Sequence, residues 1–178
     1  ELRSKVSSFA AKYLQVPLIY VNQIGANDNL IFDGNSFILD KNGSKIKQLK
    51  SFSEDLSSWH IEQTIPEKKE FEQSEISSIF DALVLGVRDY AQKCGFKTAL
   101  IGLSGGIDSA LVSAIATAAL GSNNIYCVSM PSKWSSSHSK SDAKDLARRL
   151  KINFNSIPIE NLMNSFEESF IKTISFEM

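Results

Sequence analysis

The sequence has 178 residues, 43% of them hydrophobic and 22% charged, with a formal net charge of −1. That length suits one ordinary domain or two small or partial ones, with enough apolar content to bury a core. The balance excludes the basic footprint of a nucleic-acid binder, no apolar run approaches the roughly 18 residues of a membrane span, and two cysteines, Cys94 and Cys127, suit a reducing cytoplasm rather than a disulfide framework or metal cluster.

In chain order, Leu2, Val6, Phe9, Ala10, Tyr13 and Leu14 recur at helical spacing, and Pro17 breaks the pattern. The opening segment lacks signal-peptide form. It also lacks an initial Met, so the chain is expected to begin inside a longer protein. "LIYVNQIG" reads as a buried strand and "GANDN" as a loop. "SFILD" and "SKIKQL" read as a hairpin turned by Asn42-Gly43. Residues 53–72 are polar and without period, and are expected to be a linker between a first block, 1–52, and a second, 73–178.

The second block opens with a helix over "SEISSIFDALVLGVRDYAQKCGF". Ile76, Ile79, Phe80, Leu83, Val84, Val87 and Tyr90 share one face, and Gly95 is placed as its C-terminal cap. Strands "TALIGL", "IYCVSM" and "INFNSIPI" then alternate with helices "SALVSAIATAAL", "SDAKDLARRL" and "ENLMNSFEESFIKTI". Ser139 or Ser141 is expected to cap the second of these helices. Such alternation predicts an α/β fold with a parallel sheet and right-handed crossovers.

Between the first strand and its helix lies "GLSGGIDS", Gly102 to Ser109. Strand-to-helix loops at this edge of a parallel sheet are where such folds bind ligands. Gly105 and Gly106 allow close backbone approach, their N–H groups and the helix N-terminus suit an anion, and Ser104 and Ser109 add hydroxyls. The loop has neither the Lys of a Walker loop nor the spacing of a dinucleotide fingerprint. Asp108 has two readings. It is a ligand for a Mg²⁺ that bridges it to phosphate, or an acid favoured in a helix's first turn.

"GLSGGIDS" resembles the pyrophosphate loop of the ATP-pyrophosphatase superfamily, in which Ser-Gly-Gly-x-Asp-Ser grips the β- and γ-phosphates of ATP. The stretch from Arg88 to Glu160, including "MPSKWSSSHS", resembles the glutamine-dependent NAD synthetase family. "YVNQIGANDNLIFDGNSFILDKNG" is similar to the end of the nitrilase-like glutaminase domain that precedes the synthetase domain there. The resemblance implies a Rossmann-like sheet of the adenine nucleotide alpha-hydrolase type, incomplete, after the end of a nitrilase-like α/β sandwich. It implies ATP contacts from Gly102, Leu103, Ser104, Gly105, Gly106, Ile107, Asp108 and Ser109, with Mg²⁺ on Asp108. The substrates implied are deamido-NAD and glutamine-derived ammonia, in a cytoplasmic homo-oligomer. The glutaminase Glu, Lys and Cys are expected before Glu1, and much of the deamido-NAD surface beyond Met178.

The implied reaction is adenylation of deamido-NAD's carboxylate by ATP, then displacement of AMP by ammonia. Two alternatives stand beside it. GMP synthetase, asparagine synthetase and tRNA thiolases carry this kind of loop, and the chain as given is alternatively a non-catalytic ATP-binding module. Weaker candidates carry bland readings too. Ser135, Ser136 and Ser137 touch ATP or are solvated. Met130 offers its backbone to adenine, with its side chain in the core. Lys133 steers phosphate or is a plain surface lysine, His138 acts as a base or is a surface histidine, His60 packs at the domain junction, and Asn22, Asp28 and Asp33 brace the first block or its active-site loop. Both cysteines read as buried and structural.

Overall fold

A computed structural model describes residues 2–61 and 74–174. The chain divides into a first unit ending at Tyr90 and a second beginning at Ala91. Most of the expected linker, residues 62–72, lies outside the described residues, and 53–61 carry neither helix nor strand.

In the first unit, helix α1 (Leu2–Leu14) packs beside the antiparallel sheet β1-β4-β5, made of β1 (Leu18–Tyr20), β4 (Phe37–Leu39) and β5 (Lys45–Gln48). Ala11, Phe37 and Leu39 form its core, with Leu18 and Tyr20 against them. The cross-strand pair Tyr20 and Phe37 stacks at 5.0 Å, the kind of contact that fixes register. The predicted Asn42-Gly43 turn is present. Asp40 nucleates it by accepting the N–H groups of Asn42 (2.9 Å) and Ser44 (2.8 Å) on Oδ1.

Two expectations fail here. "LIYVNQIG" is not one buried strand: β1 has three residues, and Ile19 and Val21 are exposed. "GANDN" is not simply a loop, because β2 (Ile24–Asn27) and β3 (Leu30–Asp33) form a hairpin turned by Asp28-Asn29. Asp28 takes a positive φ of 51°, which a short polar side chain tolerates. The apolar face expected for α1 is also open: Leu2, Val6, Phe9 and Tyr13 are exposed, while Ser7 and Ala11 are buried.

Asn22 and Asp33 do brace this unit. The Asp33 carboxylate pairs with the Arg3 guanidinium, with Nη1 donating to Oδ1 at 2.8 Å, and accepts from Asn22 Nδ2 at 2.9 Å. Burial pushes the Asp33 carboxyl up, but the Arg3 hydrogen bond and charge outweigh it and hold the group below its ordinary value. A depressed carboxyl contributes stability that is complete above the unfolded value, near pH 4, and lost as pH falls through the folded one. Arg3→Met is expected to flatten the acid limb of stability below about pH 4. Urea midpoints across that range check it, and an unchanged acid limb sinks it.

Helix α2 (Glu75–Cys94) ends in the expected way at Gly95, φ 74°, with the Phe96 N–H donating to the Ala91 carbonyl at 2.8 Å. The apolar face that shares this helical spacing is mostly open, since Ile76, Ile79, Leu83 and Tyr90 are exposed. Of that face Val84 is buried, and beside it Leu85 and Ala91, which lie off the face, are buried too. The β2–β3 hairpin lies against the helix at Gly86, and the Asp89 carboxylate accepts the Ala26 N–H at 2.7 Å.

The second unit has the predicted alternation: β6 (Ala99–Gly102), α3 (Ile107–Leu120), β7 (Ile125–Ser129), α4 (Ser137–Leu150), β8 (Asn153–Ser156) and α5 (Glu160–Thr173). The sheet is parallel throughout, in the order β6-β7-β8. Its core is Leu103, Ala116, Ile125, Cys127, Ala143, Ala147 and Ile152. Ala143 and Ala147, the two buried alanines of α4, let it lie close on β7 and β8. Among the described residues β6 pairs only with β7, and its Leu100 is 74% exposed. No helix among the described residues is long and apolar enough to cross a membrane.

Candidate functional site

β6 delivers the loop to the C-terminal edge of the sheet. The ladder continues one step beyond the strand, because the Leu103 N–H donates to the Val128 carbonyl at 2.9 Å and the Leu103 side chain is buried. Ser104 to Gly106 then leave the sheet, and α3 begins at Ile107.

The loop holds its own shape. The Ser104 and Ser109 hydroxyls lie 3.0 Å apart. The Gly106 N–H donates to Ser104 Oγ (3.2 Å), Ser109 Oγ donates to the Gly106 carbonyl (3.0 Å), and the Ser104 N–H donates to Ser109 Oγ (3.3 Å). The two hydroxyls expected to meet phosphate are thus also the struts of the turn. Beneath it, buried Ser113 donates to the Ser109 carbonyl at 2.8 Å and touches Cys127 Sγ at 3.7 Å, tying the start of α3 to β7.

Gly106 is the N-cap of α3 and gives no side-chain cap, so the first-turn N–H groups face outward without one. Their partial positive charge sits where an anion is favoured. Asp108 lies in that first turn, exposed, with no hydrogen bond or ion pair among the described residues. Among those residues no three His, Cys, Asp or Glu gather as a protein-only metal cage. One open carboxylate beside a helix N-terminus could hold a Mg²⁺ whose other ligands are phosphate oxygens. Ile107, between these residues, is exposed.

Gly105 has φ +87°, and a Cβ built on it falls 2.2 Å from the Ser139 carbonyl oxygen and 2.8 Å from Ser139 Cα. The loop is therefore pressed against the first turn of α4, a contact the sequence reading missed. Its only signal was the pairing of a loop glycine with the serine run after β7. That run also corrects the cap: α4 starts at Ser137, and Ser136, not Ser139 or Ser141, is its N-cap. An extended Ser136 placed one turn earlier gives the helix an extra turn of serines and His138.

A cavity of about 230 Å³ opens beside the loop, lined by Gly102, Leu103 and Ser104 on one side and by Val128, Ser129, Met130, Pro131 and Ser135 on the other. Met130 is exposed at this rim, not in the core, because β7 ends at Ser129 and releases it. Ser135 Oγ accepts the Ser132 N–H at 3.0 Å, shaping the rim. Ser137 and His138 are exposed on α4, Lys133 lies 5.4 Å from the ring centre of exposed Trp134, and His60 is exposed in the first unit. Cys127 is buried, which pushes its thiol up despite the Ser113 hydrogen bond, so it stays protonated and inert. Cys94 is exposed at the end of α2, contrary to expectation.

Residues 79–178 match the family described as NAD synthase. Over 175 residues the chain is 45% identical to a glutamine-dependent NAD(+) synthetase of Synechocystis sp., covering 96% of this chain and 31% of that protein. It is 40% identical over 166 residues to the enzyme of the same description from Rhodobacter capsulatus, covering 90% of this chain and 30% of that one. The structure of a glutamine-dependent NAD+ synthetase from Acinetobacter baumannii in complex with adenosine diphosphate superposes with a TM-score of 0.88 at 36% identity, covering 99% of this chain and 34% of that chain. The chain thus spans about a third of the length of the curated relatives it matches.

Proposed function

This chain belongs to the NAD synthase family, and from that premise we propose that it carries the ATP-binding part of an enzyme that amidates deamido-NAD to NAD with glutamine-derived ammonia. The observation that carries the reading is the "SGGIDS" loop. It stands at the C-terminal edge of a parallel strand, braced by its own serines, before an uncapped helix N-terminus.

In this reading a carboxylate oxygen of deamido-NAD attacks the α-phosphorus of ATP. The bond from that phosphorus to the bridging oxygen breaks, and pyrophosphate leaves with the electron pair. Ammonia then attacks the activated acyl carbon, AMP departs, and a proton is lost as the amide forms. A carboxylate oxygen leaves poorly by itself, and AMP leaves well. The N–H groups of Gly105 and of the first turn of α3 face the charge that builds on pyrophosphate. Their fixed positions make them worth more in the transition state than mobile water is. Ser104 and Ser109 hold that geometry and offer hydroxyls at the same edge. Asp108 would hold Mg²⁺, which when bound neutralises phosphate charge. Gly102, Leu103 and Ile107 complete the ATP-binding stretch, and the cavity at Met130 and Pro131 is offered to the rest of the nucleotide.

We assign residues 1–52 to the end of a nitrilase-like glutaminase domain and 73–178 to the synthetase domain. Two free cysteines suit a cytoplasmic setting. The test uses the full-length protein with ATP, Mg²⁺, glutamine and deamido-NAD, its products separated by chromatography. AMP and NAD in equal amounts are expected. Unchanged deamido-NAD with ATP still split to AMP moves the chemistry to another acceptor, as in the GMP synthetase-like alternative.

A further inference from the structure

We propose that Ser136 is a positioning residue for the adenylation step, acting through the first turn of α4 on the turn at Gly105. The inference rests on the reading of that loop as the grip on pyrophosphate. Ser136 Oγ accepts the Ser139 N–H at 3.0 Å and lies 2.9 Å from Ser139 Oγ. The carbonyl of Ser139 is in turn the surface on which Gly105 rests, so closely that no side chain fits between them.

The core does not hold this turn. Burial of α4 starts at Ala143, which is 0% exposed, and continues at Ala147. Before it, Ser136, Ser137, His138 and Lys140 are exposed and Ser139 is half-buried. An exposed first turn with unpaired N–H groups frays unless a cap holds it. Here the cap is one hydroxyl, and what it holds in place is the wall behind a positive-φ glycine. If the wall recedes, the Gly105–Gly106 turn relaxes and its donors leave the positions that developing charge requires.

The experiment uses the full-length enzyme with ammonium as nitrogen donor, so that glutamine hydrolysis does not enter. NAD formation and deamido-NAD-dependent exchange of pyrophosphate into ATP are measured for wild type, Ser136→Ala, Ser136→Thr and Ser136→Asp. Thr and Asp are competent caps and Ala is not. Ser136→Ala is expected to lower kcat about fivefold, the factor one helix cap represents, with KM for deamido-NAD unchanged. Both Thr and Asp are expected to restore it. Asp is the decisive variant, because it caps the helix yet repels phosphate. An Asp variant worse than Ala means that the hydroxyl itself meets the substrate, and overturns the proposal, as does a Ser136→Ala enzyme with wild-type kcat. Should Ser136→Ala fold poorly, Ser136→Gly keeps most of the capping preference and is expected to stay within about twofold of wild type; a tenfold loss there overturns the proposal. A wild-type enzyme that makes no NAD and exchanges no pyrophosphate overturns the underlying reading and this proposal with it. Wild-type synthesis with an indifferent Ser136 overturns this proposal alone.

Discussion

Gly105→Ala is expected to lower NAD synthesis by a factor on the order of 10²–10³, the loss typical when preorganised donors are displaced. Two independent causes act at this residue. Its φ of +87° strains any side chain, by about 1–2 kcal/mol. The added Cβ also falls 2.2 Å from a backbone oxygen, Ser139 O, which no rotamer change can move away. Either the loop or the start of α4 must shift, and both lie at the site. Gly106 is the internal comparison. Its φ is −86° and its Cβ would meet only Ser104 Oγ, at 3.4 Å. Gly106→Ala is therefore expected to be the milder change. Steady-state kcat of the two variants in the full-length enzyme decides it: equal losses would falsify the steric account, and a near-normal Gly105→Ala removes the loop from the reaction.

The second large effect is Asp108→Asn, expected to abolish measurable synthesis while leaving the fold intact. The side chain is exposed and without a partner among the described residues, so the structural cost is that of a first-turn acid, about 0.5 kcal/mol. The catalytic cost follows from the charge. Asn keeps the shape and one oxygen but no longer offers an anionic ligand to Mg²⁺. Thermal midpoint and turnover, measured across a Mg²⁺ titration, separate the two. Near-normal turnover with an unchanged Mg²⁺ requirement sends Asp108 back to the bland reading of a helix-favoured acid.

The loop and the alternation around it were legible because both are local signals. "TALIGL", the glycine pair and "SALVSAIATAAL" specify strand, turn and helix over consecutive residues, and Gly95 marks a helix end at positive φ. Burial was less legible. Periodicity says which residues share a face but not what covers it, so the stripes Leu2–Val6–Phe9 and Ile76–Ile79–Leu83 were found and then proved exposed. The β2–β3 hairpin was missed because Asp28-Asn29 lacks the glycine that marks such turns, although Asp tolerates the positive φ it adopts. The contact between Gly105 and Ser139 joins residues 34 apart in sequence and leaves no periodic trace. The cap was misplaced because a run of serines offers several hydroxyls with similar propensity; Ser139 and Ser141 lie inside the helix, while Ser136 has the extended backbone an N-cap requires.

β6 has an unpaired edge among the described residues, an apolar side chain displayed beside it, and the loop at its end. Such an edge is a template for pairing with a further strand. Strand pairing at this edge and the accuracy of the site are therefore coupled. Whatever strand satisfies β6 removes an adhesive border and, by the same hydrogen bonds, stiffens the base from which Ser104 to Gly106 project.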